Sequence, residues 1–486
     1  MPSPLSALTA LLFLPIFAPA VSASAADTAR PEPACVFDVM ANGPPRQLQL
    51  AITARCRPEI ERIEFARTDR LAVGNVRTLS GAPAMATARG WQTGGGGLTY
   101  DVDLASRVGG GRGSRDVALT ADTLMAPLDT WLGMPEPTRF DADLHVRIKT
   151  SPGLHAIHAM QPLGPSAPQI SRLTAGGLSF AGYSLFSTRP ALQVEVTGRD
   201  GEPVPIAVHV GASDIAIGAP ALASWVQYFA ALSAEYWQGF PVDRLMVAIV
   251  PAGAADRVSF GRVRGGGGAT MQIVAGRGVT ANTLYRRDWI LTHELLHLAQ
   301  PHLPRDGMWL MEGMATYVEP ILRHIAGLYT ADQVWSEWLG GMPAGSLGLT
   351  TMGLQRTNPY WGGALALLAT NIAIVEATDG NKTMVDCLRA GLRSVGNATV
   401  RAQTSAIISA CDQSVGFPAM ADFVSWHRSA TEFNLPRLWQ KLGVSKNGSS
   451  VAYADNAAAK VLRAAMLAPP DGFKAPPLPP DLLPLN

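Results

Sequence analysis

Asp288-Trp-Ile-Leu-Thr-His-Glu-Leu-Leu-His-Leu298 is the stretch on which the fold turns. It holds His-Glu-x-x-His, and its apolar positions recur at helical spacing. On a helix His293 and His297 stand one turn apart on one face, so both imidazoles can reach a single ion. Glu294 lies about 100° further round, near enough to touch a metal-bound water without ligating the metal. Taken alone, the same pattern would also suit two histidines making polar contacts in a core helix.

The flanking sequence favours the metal. Pro301, Pro304 and Gly307 end the first helix and permit a reversal. A second helical segment opens with Met308-Trp-Leu-Met-Glu-Gly-Met-Ala-Thr-Tyr317, which places Glu312 near its start, facing back towards the histidines. A solvated helix charge is the plainer reading of Glu312, but Leu310, Met311 and Met314 surround it, and an unpaired carboxylate among apolar side chains is costly. His293, His297 and Glu312 are therefore predicted to hold Zn2+. Two histidines and one glutamate leave a fourth position open, as in a catalytic site and not a structural one.

At this point the chain resembles the gluzincin metallopeptidases, in which the third ligand is a Glu on the next helix. Asn358-Pro-Tyr-Trp-Gly-Gly-Ala-Leu-Ala-Leu367 is similar to that group's Tyr shortly before Gly-Ala, so the resemblance makes Tyr360 the hydroxyl that stabilises the oxyanion. Within the group the chain is most like the glycyl aminopeptidase family, relatives of aminopeptidase N. Phe240-Pro-Val-Asp-Arg-Leu245, a glycine-rich strand, His-Glu-Leu-Leu-His and a Gly-Ala-Leu-Ala-Leu helix ending in Thr-Asp-Gly follow its order over roughly residues 90–445. The resemblance implies a thermolysin-like catalytic domain and a peptide or protein substrate.

The implied reaction is hydrolysis of peptide bonds. Zinc lowers the pKa of its bound water and polarises the scissile carbonyl. Glu294 takes the water's proton and returns it to the leaving amine, while Tyr360 helps to hold the oxyanion. Ala269–Val274 is expected to be an edge strand that pairs with an extended peptide, with Gly268, Ala269 and Thr270 binding substrate. A flexible glycine loop is the other reading of that segment. Aminopeptidases of the wider group place an acidic residue beside the glycine-rich strand for the substrate's free amine. Gly268-Ala-Thr-Met-Gln272 offers none, which leaves exopeptidase or endopeptidase action open. Asp306 and Glu319 are candidates to orient an imidazole. His302 follows a proline and is not read as a ligand, and His155 and His158 lack a third partner.

Further out, the chain reads as α+β: an N-terminal β-sandwich-like domain over residues 26–165, then a catalytic domain over 166–465. The first part of that domain, 166–280, is α/β; the second, 281–465, is mainly helical. Leu48, Leu50 and Ile52 alternate with polar residues, as do Leu98, Tyr100, Val102 and Leu104, and Phe140 through Lys149. Gly94–Gly97 and Gly109–Gly111 read as turns. Ala221–Trp237 is predicted helical and Leu245–Val250 a buried strand. Ala364–Val375 is apolar but short, and reads as a core helix and not a membrane span. Residues 466–486 read as a proline-rich tail, expected to be extended and poorly ordered from Pro469.

Residues 1–25 read as a signal peptide, with the apolar run Leu8–Phe17 and Ala23-Ser24-Ala25 for cleavage. No transmembrane helix is expected once it is removed, and the protein is expected to be secreted or periplasmic. Cys35, Cys56, Cys387 and Cys411 fit an oxidising compartment. Three pairings are possible, and two local disulfides, Cys35–Cys56 and Cys387–Cys411, are predicted. The net charge of +1, from 39 basic and 38 acidic residues, gives no electrostatic footprint for nucleic acid. The reading competing with a peptidase is a non-catalytic, zinc-stabilised binding or assembly factor of the cell envelope. An intact Glu294 favours the enzyme, because a purely structural site has no use for a base.

Overall fold

The computed structural model describes residues 32–480 and 482, apart from 67–68, 109–116, 212–214, 352–357, 430–432 and 449. The segment read as a signal peptide and the Gly109–Gly111 turn lie outside the described residues.

Alternation of apolar and polar residues in the N-terminal half produces sheets with one buried face. A seven-stranded sheet is centred on Cys35–Asn42, which pairs parallel with Asp143–Thr150 and antiparallel with Gln49–Cys56. Gly97–Asp103 follows on the far side of Gln49–Cys56. A four-stranded sheet, built on Thr123–Pro127 and Tyr183–Ser187, supplies the second layer. Phe37, Leu50, Ile52, Tyr100, Leu124, Trp131 and Phe186 share one core. These sheets draw in Ser171–Thr174 and Tyr183–Ser187, so the β part continues past residue 165, where the change in sequence pattern placed its end. Phe140 and Ala142 lie in the turn before the strand and not in it, and Phe140 is exposed.

A five-stranded mixed sheet follows, in the order Leu192–Thr197, Pro203–Val210, Leu245–Pro251, Ala269–Ala275, Val258–Arg264. Pro203–Val210 and Leu245–Pro251 run parallel, which requires a crossover. The helix Ala219–Trp237 provides it, and its residues Trp225, Phe229 and Leu232 are wholly buried. Met125, Tyr183, Leu185, Met246 and Ala248 form a small core between this sheet and the four-stranded one.

From residue 290 to 467 the described residues are mainly helical, with a hairpin of Val444–Asn447 and Ser450–Tyr453. Pro359–Ala377 is the helix, among the described residues, long and apolar enough to cross a membrane; two thirds of its apolar window is buried in the protein, as the core-helix reading expects. The tail departs from expectation. Phe473 and Leu478 pack on the main core and Leu482 is buried, so apolar residues spaced between the prolines pin the tail to the domain. Cys35 is bonded to Cys56 across directly opposed strand positions, and Cys387 to Cys411 between two helices.

Candidate active site

The helix Ile290–His297 carries the motif. Its start is fixed by Asp288, whose two carboxylate oxygens accept the backbone N–H groups of Ile290 and Leu291, each at 3.1 Å. Burial pushes the Asp288 carboxyl up to about 6, against the pull of those two amides and of Arg323. The turn through Pro301 and Pro304 then reverses the chain into the helix Met308–Ile325, which brings Glu312 opposite the histidines.

The three residues read as ligands converge. Glu312 Oε2 lies 3.2 Å from His293 Nε2 and 3.4 Å from His297 Nε2. The donor atoms all fall within 4.8 Å of one another, and among the described residues this is the single such group of three or more His, Cys, Asp or Glu. The Nδ1 atoms of both histidines are buried without a hydrogen-bond partner, so it is the Nε2 atoms that face the shared point. Burial lowers His293 to about 4, which keeps its ring neutral and fit to ligate. Burial acts to raise Glu312, but hydrogen bonds from the two imidazoles outweigh it and hold the carboxylate ionised. Two neutral-capable imidazoles and an ionised carboxylate around one point form the donor set that suits a borderline divalent cation.

Glu294 stands apart from that group, as its position round the helix requires. Burial raises its carboxyl to about 7, with His297, the backbone of Val263 and Arg262 pulling it back. Tyr360 begins the helix Pro359–Ala377, capped by Asn358, whose side-chain oxygen accepts the backbone N–H of Tyr360 at 3.1 Å. Its ring stacks on His293 at 5.8 Å between centroids. Burial and the carboxylates of Glu312 and Glu294 push its hydroxyl up to about 12, so it remains a proton donor. Two glycines let this helix approach the one bearing Glu312. A Cβ on Gly363 would lie 1.9 Å from the Trp309 carbonyl oxygen, and one on Gly313 2.5 Å from Gly363 Cα. The helices therefore touch backbone to backbone, next to Glu312 on one helix and one turn from Tyr360 on the other.

The substrate-binding residues read from the sequence need correction. Ala269–Ala275 is not an edge strand: it is paired on both sides, by Leu245–Pro251 and by Val258–Arg264. Gly268 abuts the backbone of Ala159, Ala269 is fully buried, and the Thr270 hydroxyl accepts the Tyr183 N–H. These three residues join the two halves of the protein. The strand beside the site is Val258–Arg264, an antiparallel edge added to the sheet. Its Gly261 faces Glu294, and Phe260, Arg262 and Arg264 alternate with it.

The other candidates separate cleanly. Asp306 lies near the Thr404 hydroxyl, at 3.3 Å. Glu319 pairs with Arg323 at 3.0 Å and lines a hollow with His293 and Glu337, and neither it nor Asp306 bonds the Nδ1 of His293 or His297. His302 is no ligand; its ring stacks on Phe180. His155 and His158 lie on a strand of the four-stranded sheet. Val263, Gln300 and Arg401 also line the site and escaped the sequence reading. The alternation Phe260-Gly-Arg-Val-Arg264 is the signal that could have marked the strand carrying Val263; Gln300 and Arg401 lie elsewhere in the chain.

Two hollows meet at Tyr360. One, of about 540 Å³, runs along Phe260–Gly265 past Glu294, His297 and Glu312 to Arg401. The other, of about 430 Å³, lies on the far side of His293 and is walled by Trp289, Tyr360 and Trp361. An extended chain laid across both would pass the three-residue cluster with Glu294 on one side and Tyr360 on the other.

No family model matches the chain, and no curated protein matches it in sequence. Solved structures do match in fold. An aminopeptidase N family protein from Idiomarina loihiensis superposes with a TM-score of 0.61 at 12% identity, over 84% of this chain and 78% of that one. A mutant M1 zinc metallopeptidase from Deinococcus radiodurans gives 0.50 at 14% identity, over 83% and 96%. Legionella pneumophila aminopeptidase A, in complex with aspartic acid, gives 0.51 at 10% identity, over 81% of this chain and 49% of that one. The chain has the α+β, two-part fold of these proteins: a sheet-rich N-terminal region and a helical C-terminal part.

Proposed function

We propose that this chain is a zinc-dependent peptidase, exported to an oxidising compartment, that hydrolyses peptide bonds with Glu294 as general base. The observation that carries the reading is the convergence of His293, His297 and Glu312 within 4.8 Å, with Glu294 beside them and outside the ligand set. A structural metal site has no need of such a base. The fold shared with proteins described as aminopeptidases and zinc metallopeptidases supports it, and the two disulfides support export.

In this reading His293, His297 and Glu312 hold the zinc, which when bound acidifies water and polarises a carbonyl. Glu294, carried towards neutrality by burial, takes a proton from the attacking water and gives it to the departing amine. The Tyr360 hydroxyl donates to the oxygen that gains charge. Val258–Arg264, with one edge open, offers backbone groups to an extended substrate, the addition of a strand that places the scissile bond over the cluster.

The test pairs metal analysis with a mixed peptide library digested with and without chelator. We expect stoichiometric zinc, chelator-sensitive cleavage, and a Glu294→Gln variant that keeps its zinc but loses roughly 10²- to 10⁴-fold in turnover. Freshly isolated protein without metal, and without turnover after zinc is added, would sink the proposal. Full activity in Glu294→Gln would sink the role given to that residue.

A further inference from the structure

The hollow that runs from Glu294 along the edge strand has an uneven charge. Glu294 and Glu312 are its lining carboxylates among the described residues, one proposed as base and the other as metal ligand. Against them stand Arg262, Arg264 and Arg401, with His302. Among the described residues no further carboxylate lines this hollow to hold a substrate's α-ammonium group. The edge strand supplies basic side chains where an amine-binding site needs acidic ones.

The basic groups are set by their surroundings and are not loose surface charges. Arg264 donates to the Ala181 carbonyl at 3.2 Å and lies over the Tyr183 ring. Arg401 donates to the Ser179 carbonyl at 3.3 Å and lies over Phe180 at 5.0 Å. Phe180 is itself stacked on His302. Residues 179–183 thus brace both guanidiniums from the N-terminal half. The backbone bonds His302 N–H to Val400 carbonyl and Ala402 N–H to His302 carbonyl fix the loop that carries Arg401. Burial first, and then the charges of Arg401 and Arg264, lower the His302 pKa. Gln300 makes the second, independent observation. It lines the same hollow, is only 5% exposed, and neither its amide nitrogen nor its amide oxygen has a hydrogen-bond partner. A buried amide without partners awaits a polar group.

We infer that this hollow binds a substrate carboxylate, held by Arg401 and Arg264 beside the Gln300 amide, and that it does not capture a free amino terminus. The carboxylate is either an Asp or Glu side chain near the scissile bond or the C-terminal α-carboxylate. Both sources present the same planar anion to a guanidinium fork. On the opposite side of His293 the other hollow is lined by the Trp289, Tyr360 and Trp361 rings together with Glu319 and Glu337. The inference rests on the peptidase reading and narrows its substrate.

The experiment uses the zinc-loaded full chain and matched N-acetylated peptides. In one arm Glu is exchanged for Gln at successive positions about the cleaved bond. In the other the C-terminal acid is exchanged for the amide. One exchange should lower kcat/KM about tenfold or more, as loss of a charge-assisted hydrogen bond does, and the arm in which it occurs identifies the source. Arg401→Gln should bring that acid-to-amide ratio close to one, and Arg401→Lys should restore part of it. If zinc-dependent cleavage is intact but acids and amides are cut within twofold of each other in both arms, the inference falls and the peptidase reading stands. It also falls if acetylation of the amino terminus abolishes cleavage. If zinc is bound and no peptide of any kind is cut, both fall together.

Discussion

Gly261 and Glu294 approach so closely that a Cβ on the glycine would lie 2.5 Å from Glu294 Cγ and 2.9 Å from its Oε1. The edge strand and the motif helix therefore meet at a position that admits no side chain, and the proposed base is held against bare backbone. Gly261→Ala should push Glu294 aside while leaving the proposed ligands His293, His297 and Glu312 untouched. We expect normal zinc content and near-normal stability with turnover reduced about 10²-fold, the loss typical of a misplacement near 1 Å. Steady-state kinetics beside metal analysis would check it; wild-type turnover in this variant would refute the contact.

That contact also shows where the sequence was readable and where it was not. The two histidines, Glu294 and Glu312 were legible because their geometry follows from helical spacing and one reversal, both written in nearby residues. The edge strand was not. Four consecutive glycines, Gly265–Gly268, suggested close approach of a ligand, whereas they allow close approach of the protein's own backbone. A Cβ on Gly266 would lie 1.9 Å from the Gly177 carbonyl oxygen, and one on Gly268 2.0 Å from that of Ala159. Strand order is a tertiary property, and Val258–Arg264 takes the edge by folding back on Ala269–Ala275. The basic lining was hidden for the same reason, since Arg264 and Arg401 are far apart in the chain. The tail was read from its prolines, and the apolar residues between them decided its place.

Tyr360→Phe separates the hydroxyl from the ring. The ring's stacking on His293 survives the change, and so does the Asn358 cap. The hydroxyl's proposed service to a developing negative charge does not. We expect kcat to fall by roughly 10²- to 10³-fold with KM little changed, the signature of an interaction made in the transition state. An equal rise in KM without loss of kcat would instead mark Tyr360 as a substrate contact.

Glu312→Ala removes one of three donors and leaves two imidazoles whose partner was that carboxylate. Zinc content should fall well below one per chain. Because an ion that binds the folded state stabilises it by mass action, added zinc should raise the Tm of the metal-stripped wild type and leave that of Glu312→Ala almost unmoved. Calorimetry with and without zinc would show this. An equal rise in both proteins would place the ion elsewhere.

Asp288 supplies a pH test that does not involve the metal. It caps the motif helix from a buried position, and its carboxyl titrates near 6 in the fold against an ordinary value of 3.8. Since the folded value is the higher one, the folded state keeps this proton after the unfolded chain has lost it. The group's contribution to stability is then fully present below about 4 and is lost as pH rises through 6. Asp288→Asn cannot titrate and lacks that dependence. The stability of the wild type relative to Asp288→Asn should therefore decline between pH 4 and 6, by on the order of 1–3 kcal/mol, and stay level from pH 7 to 8. Denaturant unfolding of both proteins across that range measures the difference directly. A gap that widens with rising pH would mean that the cap is ionised throughout, with the Ile290 and Leu291 amides outweighing burial.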